Sequence, residues 1–314
     1  MVIFKAKGSC CMILYCSHLR VLEIKIMKEH LISILKNFDL INKEQQREFK
    51  YKELGGITNT SYLADLGEER YVVRIPGTNP DLINRSAELT NHLIANGLKI
   101  TLPFLFLDED TGIKISKYVP ELRSFSYLDF NNSELRKKAF DKLSRLHNSD
   151  VVFIKNFSPM EAFLELVENS DKYEEKARIV GNSIVLELSE LKLNSQPCHQ
   201  DLYSENFVQV KDEVYLIDWE YSSQGDAFFD YGDLFMQNKF DESMKKIAYK
   251  ELGIEINTEN QMKGALFEML SCLTWGLWAV NKSKVDCDIG KKEYFIEGKE
   301  RIEEVVYRYE NKLF

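Results

Sequence analysis

From Met27 the apolar residues Leu31, Ile34, Leu35 and Phe38 return to one face at helical spacing, which predicts an opening amphipathic helix. The period then shortens. Phe49 to Leu54, Tyr62 to Leu66 and Tyr71 to Ile75 read as strands, separated by the Gly55–Ser61 turn and the turn Gly67-Glu68-Glu69, so they form an antiparallel meander. Asn84 to Asn96 has helical spacing through Ala87, Leu93 and Ile94, and two further strands, Leu102 to Leu107 and Ile113 to Tyr118, flank the turn at Asp108–Gly112. Beyond that point helices dominate: Ser133 to His147, Pro159 to Val180, Ile184 to Leu193, Asp241 to Leu252, Thr258 to Ser283 and Lys291 to Tyr309. Strands first and helices afterwards predict an α+β protein of two lobes, without the alternation of a parallel α/β sheet. The expected division is an antiparallel-sheet N-lobe over 27–119 and a mostly helical C-lobe over 120–314, parting near Val119-Pro120. Residues 1–26, cysteine-rich and broken by Lys5, Lys7 and Gly8, are expected to be an extension outside that core, with Met27 as the natural start.

Composition narrows the function classes. With 44% hydrophobic residues in 314, the chain can bury a large core, and its net charge of −9, without a basic stripe, argues against nucleic acid as a partner. No apolar run is long enough to span a bilayer. The 6 cysteines lack metal-ligand spacing, so reduced thiols and a cytoplasmic location are expected.

Chemistry concentrates in His199-Gln200-Asp201-Leu202-Tyr203-Ser204-Glu205-Asn206, followed by Ile217-Asp218-Trp219-Glu220. An aspartate, an asparagine a short loop later, and a second aspartate closing an apolar run suit transfer of a nucleotide's terminal phosphoryl group to a hydroxyl. Asp201 can accept or orient the hydroxyl proton, while Asn206 and Asp218 offer hard oxygen ligands to Mg²⁺. A lone His-x-Asp would more often be a capped turn, but that reading fails once Asn206 and Asp218 follow. His199 is expected to brace the loop, and no nucleophile elbow supports Ser-His-Asp hydrolysis.

Gly55 and Gly56 end a strand where positive φ lets backbone amides approach an anion, although a Gly-Gly pair alone is more often an ordinary hairpin. Arg74, in a half-apolar strand, suits the inner phosphates, with Glu88 as a carboxylate to hold it. Trp275 and Trp278 share one helical face; core packing is an even alternative to a cage for a quaternary ammonium, to which Tyr294 and Phe295 would add walls.

On these residues the chain resembles the choline kinases, close to the bacterial choline/ethanolamine kinase group within the aminoglycoside phosphotransferase superfamily. The resemblance runs from Met27 to the end. It rests on Leu54-Gly55-Gly56-Ile57-Thr58-Asn59, Tyr71-Val72-Val73-Arg74-Ile75-Pro76-Gly77, Ile83-Asn84-Arg85 with Glu88, the two blocks around Asp201 and Asp218, and Thr274-Trp275-Gly276-Leu277-Trp278. It implies a bilobal protein-kinase-like fold, with ATP at Gly56, Ile57, Thr58, Asn59, Arg74, Glu88 and Tyr118, and Mg²⁺ on Asn206 and Asp218. It further implies Asp201 as the base toward choline, and Trp275, Trp278, Tyr221 and Asp230 near that substrate. Tyr203 and Met236-Gln237-Asn238 depart from the eukaryotic members, which carry glutamine and an acidic residue there. The expected activity is therefore ATP-dependent phosphorylation of choline. Ethanolamine, an aminoglycoside or thiamine on the same fold is the alternative, and a nucleotide-binding pseudokinase the non-enzymatic one.

Overall fold

The structure is a computed structural model, and the residues it describes are 24–56, 58–77, 83–168, 175–285 and 291–313. The chain divides into two compact units, Met1–Pro80 with Phe104–Tyr118, and Asp81–Pro103 with Val119–Phe314.

In the first unit, helix α1 (24–37) and a single turn, α2 (Gln45–Glu48), precede a five-stranded antiparallel sheet. Its strands are β1 (Lys50–Gly55), β2 (Asn59–Asp65), β3 (Arg70–Pro76), β4 (Phe106–Leu107) and β5 (Lys114–Lys117), in the order β1-β2-β3-β5-β4. The apolar stripe of α1, Leu31, Ile34 and Leu35, shares one core with Phe49, Tyr62, Ala64, Tyr71, Val73 and Ile115. The meander read from the sequence is present. The strand expected over Leu102–Leu107 shrinks to Phe106–Leu107, because Pro103 has no N–H to donate to a ladder.

The second unit contains α3 (Arg85–Gly97), β6 (Arg123–Ser124), α4 (Ser133–His147), α5 (Pro159–Glu168), α6 (Glu175–Glu190), β7 (Gln196–Cys198), β8 (Phe207–Val210), β9 (Glu213–Leu216), β10 (Ser223–Gly225), α7 (Ala227–Gln237), α8 (Glu242–Glu251), α9 (Thr258–Val285) and α10 (Lys291–Glu310). Helix α3 groups with this unit rather than with the sheet it follows. Its Asn91 amide donates to the carbonyls of Ile154 and Ser222 and accepts from the Ile154 N–H, three bonds that satisfy a fully buried side chain. Asn84 caps it by accepting from the Ala87 N–H.

The helices depart from the hydrophobic reading in places: the one expected over Pro159 to Val180 is described as α5 and the start of α6, with 169–174 outside the described residues. Gly181-Asn182 looks like a break, yet α6 runs straight through it, because a Cβ at Gly181 would lie 2.0 Å from the Phe163 ring of α5. Glycine there permits close crossing instead of ending the helix. Helix α7 is absent from the hydrophobic reading; Asp230, Asp233 and Gln237 recur along it at helical spacing, yet Ala227 through Phe235 are all buried, its acidic side included. Among the described residues, no helix is long and apolar enough to cross a membrane.

Helices α7 and α9 meet at Gly232, where a Cβ would approach the Glu268 backbone nitrogen to 2.5 Å. Gly232→Ala is therefore expected to lower the free energy of unfolding by about 2–3 kcal/mol, from overpacking against main chain that cannot step aside. Urea denaturation checks this, and an unchanged midpoint would mean the helices separate freely.

Candidate active site

Strand β7 pairs antiparallel with β10, and the chain then leaves the sheet at His199 with no ladder partner for its amides. Side chains of α7 supply the missing acceptors. Asp230, fully buried, takes the His199 N–H on Oδ2 at 2.9 Å and the Gln200 N–H on Oδ1 at 2.7 Å. His147 Nε2 donates to the same Oδ2 at 2.7 Å, and its Nδ1 lies 3.0 Å from the Tyr231 hydroxyl. One turn further along, Asp233 takes the Leu202 N–H on Oδ2 at 2.6 Å. Its Oδ1 accepts from Ser271 Oγ at 2.6 Å and Trp275 Nε1 at 2.8 Å. The Asn238 amide donates to the Leu202 carbonyl at 2.8 Å. Burial pushes Asp233 up to about 6, against the opposing pull of these hydrogen bonds. Asp230, expected beside the substrate, is instead enclosed with both oxygens engaged by the loop.

His199 braces the loop as the sequence suggested. Its Nε2 donates to the Ile217 carbonyl at 2.9 Å, which leaves Nδ1 to accept from the Asp201 N–H at 3.4 Å. Burial lowers its pKa, the cost of charging an enclosed imidazole. Asn206 donates to the Asp201 backbone carbonyl at 2.9 Å and to its Oδ2 at 3.0 Å, so the amide oxygen is the end turned away from Asp201. The β8–β9 hairpin then pairs Phe207 with Leu216, and the Ile217 N–H reaches the Asn206 carbonyl at 2.9 Å. This register brings Asn206 and Asp218 to the same end of the hairpin, with Asp218 at φ 63°, a left-handed conformation that aspartate tolerates. Trp219, buried behind them, anchors the turn through an indole N–H to the Leu216 carbonyl at 3.2 Å.

Negative charge accumulates at this end. Desolvation pushes the Asp201 carboxyl well above the ordinary carboxylate range, and Asp233, Asp218 and Glu220 add to the shift, while the Asn206 amide opposes it. Glu220 is offset by Arg85, at 3.1 Å, which also pairs with Glu88 at 2.6 Å. A carboxylate and a neutral amide oxygen at one hairpin end, beside further carboxylates, fit a hard divalent cation. Asn206 and Asp218 are the residues that would hold it.

The expected aromatic residues largely gather. The Trp275 ring lies parallel to Phe157, with centroids 5.9 Å apart, and edge-on to Tyr221 and Trp278 at 5.2 and 6.2 Å. Tyr294 meets Trp278 at 6.4 Å, and the Lys282 ammonium sits 4.9 Å from the Trp278 ring centre. Phe295 is exposed, under the Lys299 ammonium. A cavity of about 230 Å³ opens beside Phe157, lined also by Asn84, Asn156, Glu161 and Glu165. Phe157 gave no sequence signal because it lies in an irregular segment before α5. Asp233 gave none either, because its partners come from α9 and the loop, far away in sequence.

In the first unit, Gly55 and Gly56 have φ of 94° and 133°, and a Cβ on Gly56 would fall 2.0 Å from the Asn59 carbonyl oxygen. Only glycine fits that turn. The Gly77 N–H ties down the Thr58 carbonyl at 3.1 Å; Ile57 lies outside the described residues. Arg74 is buried, paired in register with Ser61 and Lys114, and donates to the Gly112 carbonyl at 3.3 Å. Tyr118 stacks under the Arg70 guanidinium at 4.6 Å.

The family model for choline/ethanolamine kinase matches residues 52–265. Protein LicA of Haemophilus influenzae is 28% identical over 268 residues, covering 76% of this chain and 75% of that protein. The crystal structure of choline kinase LicA from Streptococcus pneumoniae superposes with a TM-score of 0.75 at 26% identity, covering 91% of this chain and 99% of that one. A structure of LicA in complex with AMP gives 0.74 at 25% identity, covering 91% and 98%. With the loop, the hairpin carboxylate and the glycine turn all inside the matched segment, the chain belongs to the choline/ethanolamine kinase family.

Proposed function

We propose that this chain transfers the terminal phosphoryl group of ATP to the hydroxyl of choline, giving phosphocholine and ADP. The observation that carries the choice of acceptor is the set of rings around Trp275, in the same unit as Asp201. A trimethylammonium group has no N–H to donate and is held by the negative faces of indoles and phenols. Asp201 accepts the hydroxyl proton as the choline oxygen bonds to the γ-phosphorus and the bond to the β-phosphate oxygen breaks. Asn206 keeps the Asp201 carboxylate oriented through its amide donor. Mg²⁺ on Asn206 and Asp218 would supply positive charge to the phosphates. In the first unit, the Gly55–Asn59 turn and Arg74 offer backbone amides and a cation of the kind that suits a phosphate. The AMP bound by a LicA relative supports an adenine nucleotide as donor.

Ethanolamine is the second reading, favoured by Glu161, Glu165, Asn84 and Asn156 around the cavity beside Phe157. A primary ammonium needs such acceptors. A panel of choline, ethanolamine, thiamine and aminoglycosides with ATP and Mg²⁺, scored by ADP release, tests the assignment; kcat/KM highest for choline is expected, and a higher value for ethanolamine would replace it.

Asp201→Ala is expected to lower kcat by roughly 10³-fold with little change in ATP binding, the usual scale for a lost general base. A near-normal rate would remove Asp201 from that role. Trp275→Ala should raise the choline KM by more than about tenfold while the ATP KM stays within about threefold, in keeping with a desolvated cation–aromatic contact. Equal changes in both constants would point to general unfolding.

A further inference from the structure

Asp233 is enclosed completely, and its two oxygens reach two separate parts of the site. Oδ2 holds the Leu202 N–H, the peptide directly after Asp201, at 2.6 Å. Oδ1 holds the Trp275 indole N–H at 2.8 Å and the Ser271 hydroxyl at 2.6 Å, one turn apart on α9. A single carboxylate thus joins the catalytic loop to the aromatic wall. The Leu202 peptide is gripped from its other side by Asn238, which donates to its carbonyl at 2.8 Å, and the Leu202 side chain is itself buried. Any shift of that peptide must therefore pull on Asp233.

Asp230 makes the contrast. It lies one turn earlier on the same helix and is equally buried, but its partners are the His199 and Gln200 amides and His147. It braces the loop and has no bond to the wall. Burying a second carboxylate so close is costly unless its oxygens are filled by well-placed donors. The Leu202 N–H and the Ser271 hydroxyl are two of them, and the indole N–H, the third, fixes how Trp275 presents its faces to Phe157 and Tyr221.

We propose that Asp233 is a positioning residue that couples the acceptor-binding wall to the catalytic loop, so that the orientation of Trp275 sets the placement of Asp201. This rests on the reading that the wall faces the acceptor cation. Coupling of this kind makes phosphoryl transfer depend on how the cation seats against Trp275, beyond how tightly it binds.

The test separates the indole ring from its N–H. Trp275→Phe keeps an aromatic face but removes the donor to Asp233. Its kcat with choline is expected to fall about tenfold, the scale of one hydrogen bond to a charged group, while the choline KM stays within about threefold. Asp233→Asn is expected to give a similar loss, and the double variant no further loss, because both changes break the same link. Thermal melting and the ATP KM of each variant confirm folding, and if Asp233→Asn does not fold, the KM-against-kcat split of Trp275→Phe decides alone. A kcat within about twofold of wild type for Trp275→Phe, a change confined to KM, or losses that multiply in the double variant would each overturn the coupling. If the wild-type enzyme does not turn over choline, the acceptor reading fails separately, and the same variants are measured with the panel's best acceptor.

Discussion

A loop that carries catalytic side chains must place its own backbone N–H groups somewhere, and in a buried loop water is not there to take them. This requirement organises the second unit. The peptides of His199, Gln200 and Leu202 have no strand partner, and Gln200 sits at φ 68°, outside any regular ladder. Asp230 and Asp233 answer with carboxylate oxygens from one face of α7. An unmet buried donor costs about 1–3 kcal/mol, so leaving these three unanswered would take a large share of the margin by which most domains are stable. The burial of α7 on all sides follows from this duty. The helix has to lie under the loop, and Gly232 lets its far side press against the α9 backbone.

The same geometry creates an electrostatic problem. Asp201, Asp218, Glu220 and Asp233 are close enough for their charges to raise the Asp201 carboxyl, and Arg85 is already shared between Glu88 and Glu220. Burial and this crowding act together on Asp201, and the Asn206 amide donor opposes them. A divalent cation held by Asn206 and Asp218 would lessen the crowding at this end of the hairpin.

The parts of the site that were legible in the sequence are those whose signal is local. His199 through Asn206 and Ile217 through Glu220 each lie within a few residues, and the short β8–β9 hairpin between them leaves little freedom in how they meet. The meander was legible because period-two burial and glycine turns are local too. What sequence reasoning missed depends on distant contacts. Helix α7 is short and aromatic-rich, and the burial of its acidic face under the loop depends on residues far away in sequence. Gly181 looked like a terminator until the Phe163 ring showed why it is small. Asp230 is placed near the substrate only by the family resemblance; its burial and its partners at 199, 200 and 147 are facts of tertiary packing.

The aromatic wall illustrates how far such packing can sharpen a chemical choice. Two tryptophans on one helical face are ambiguous between core and cage: Trp275 is buried and stacked on Phe157, while Trp278 is half-buried beneath a lysine. A buried indole N–H needs an acceptor, and here it is a carboxylate already bonded to the Leu202 peptide and the Ser271 hydroxyl. The Leu202 N–H calls for an acceptor at 233, and the other oxygen of that acceptor fixes how Trp275 is turned. Ring faces held in fixed orientation suit a rounded trimethylammonium group, which gives no directional hydrogen bond of its own and must be positioned by its container.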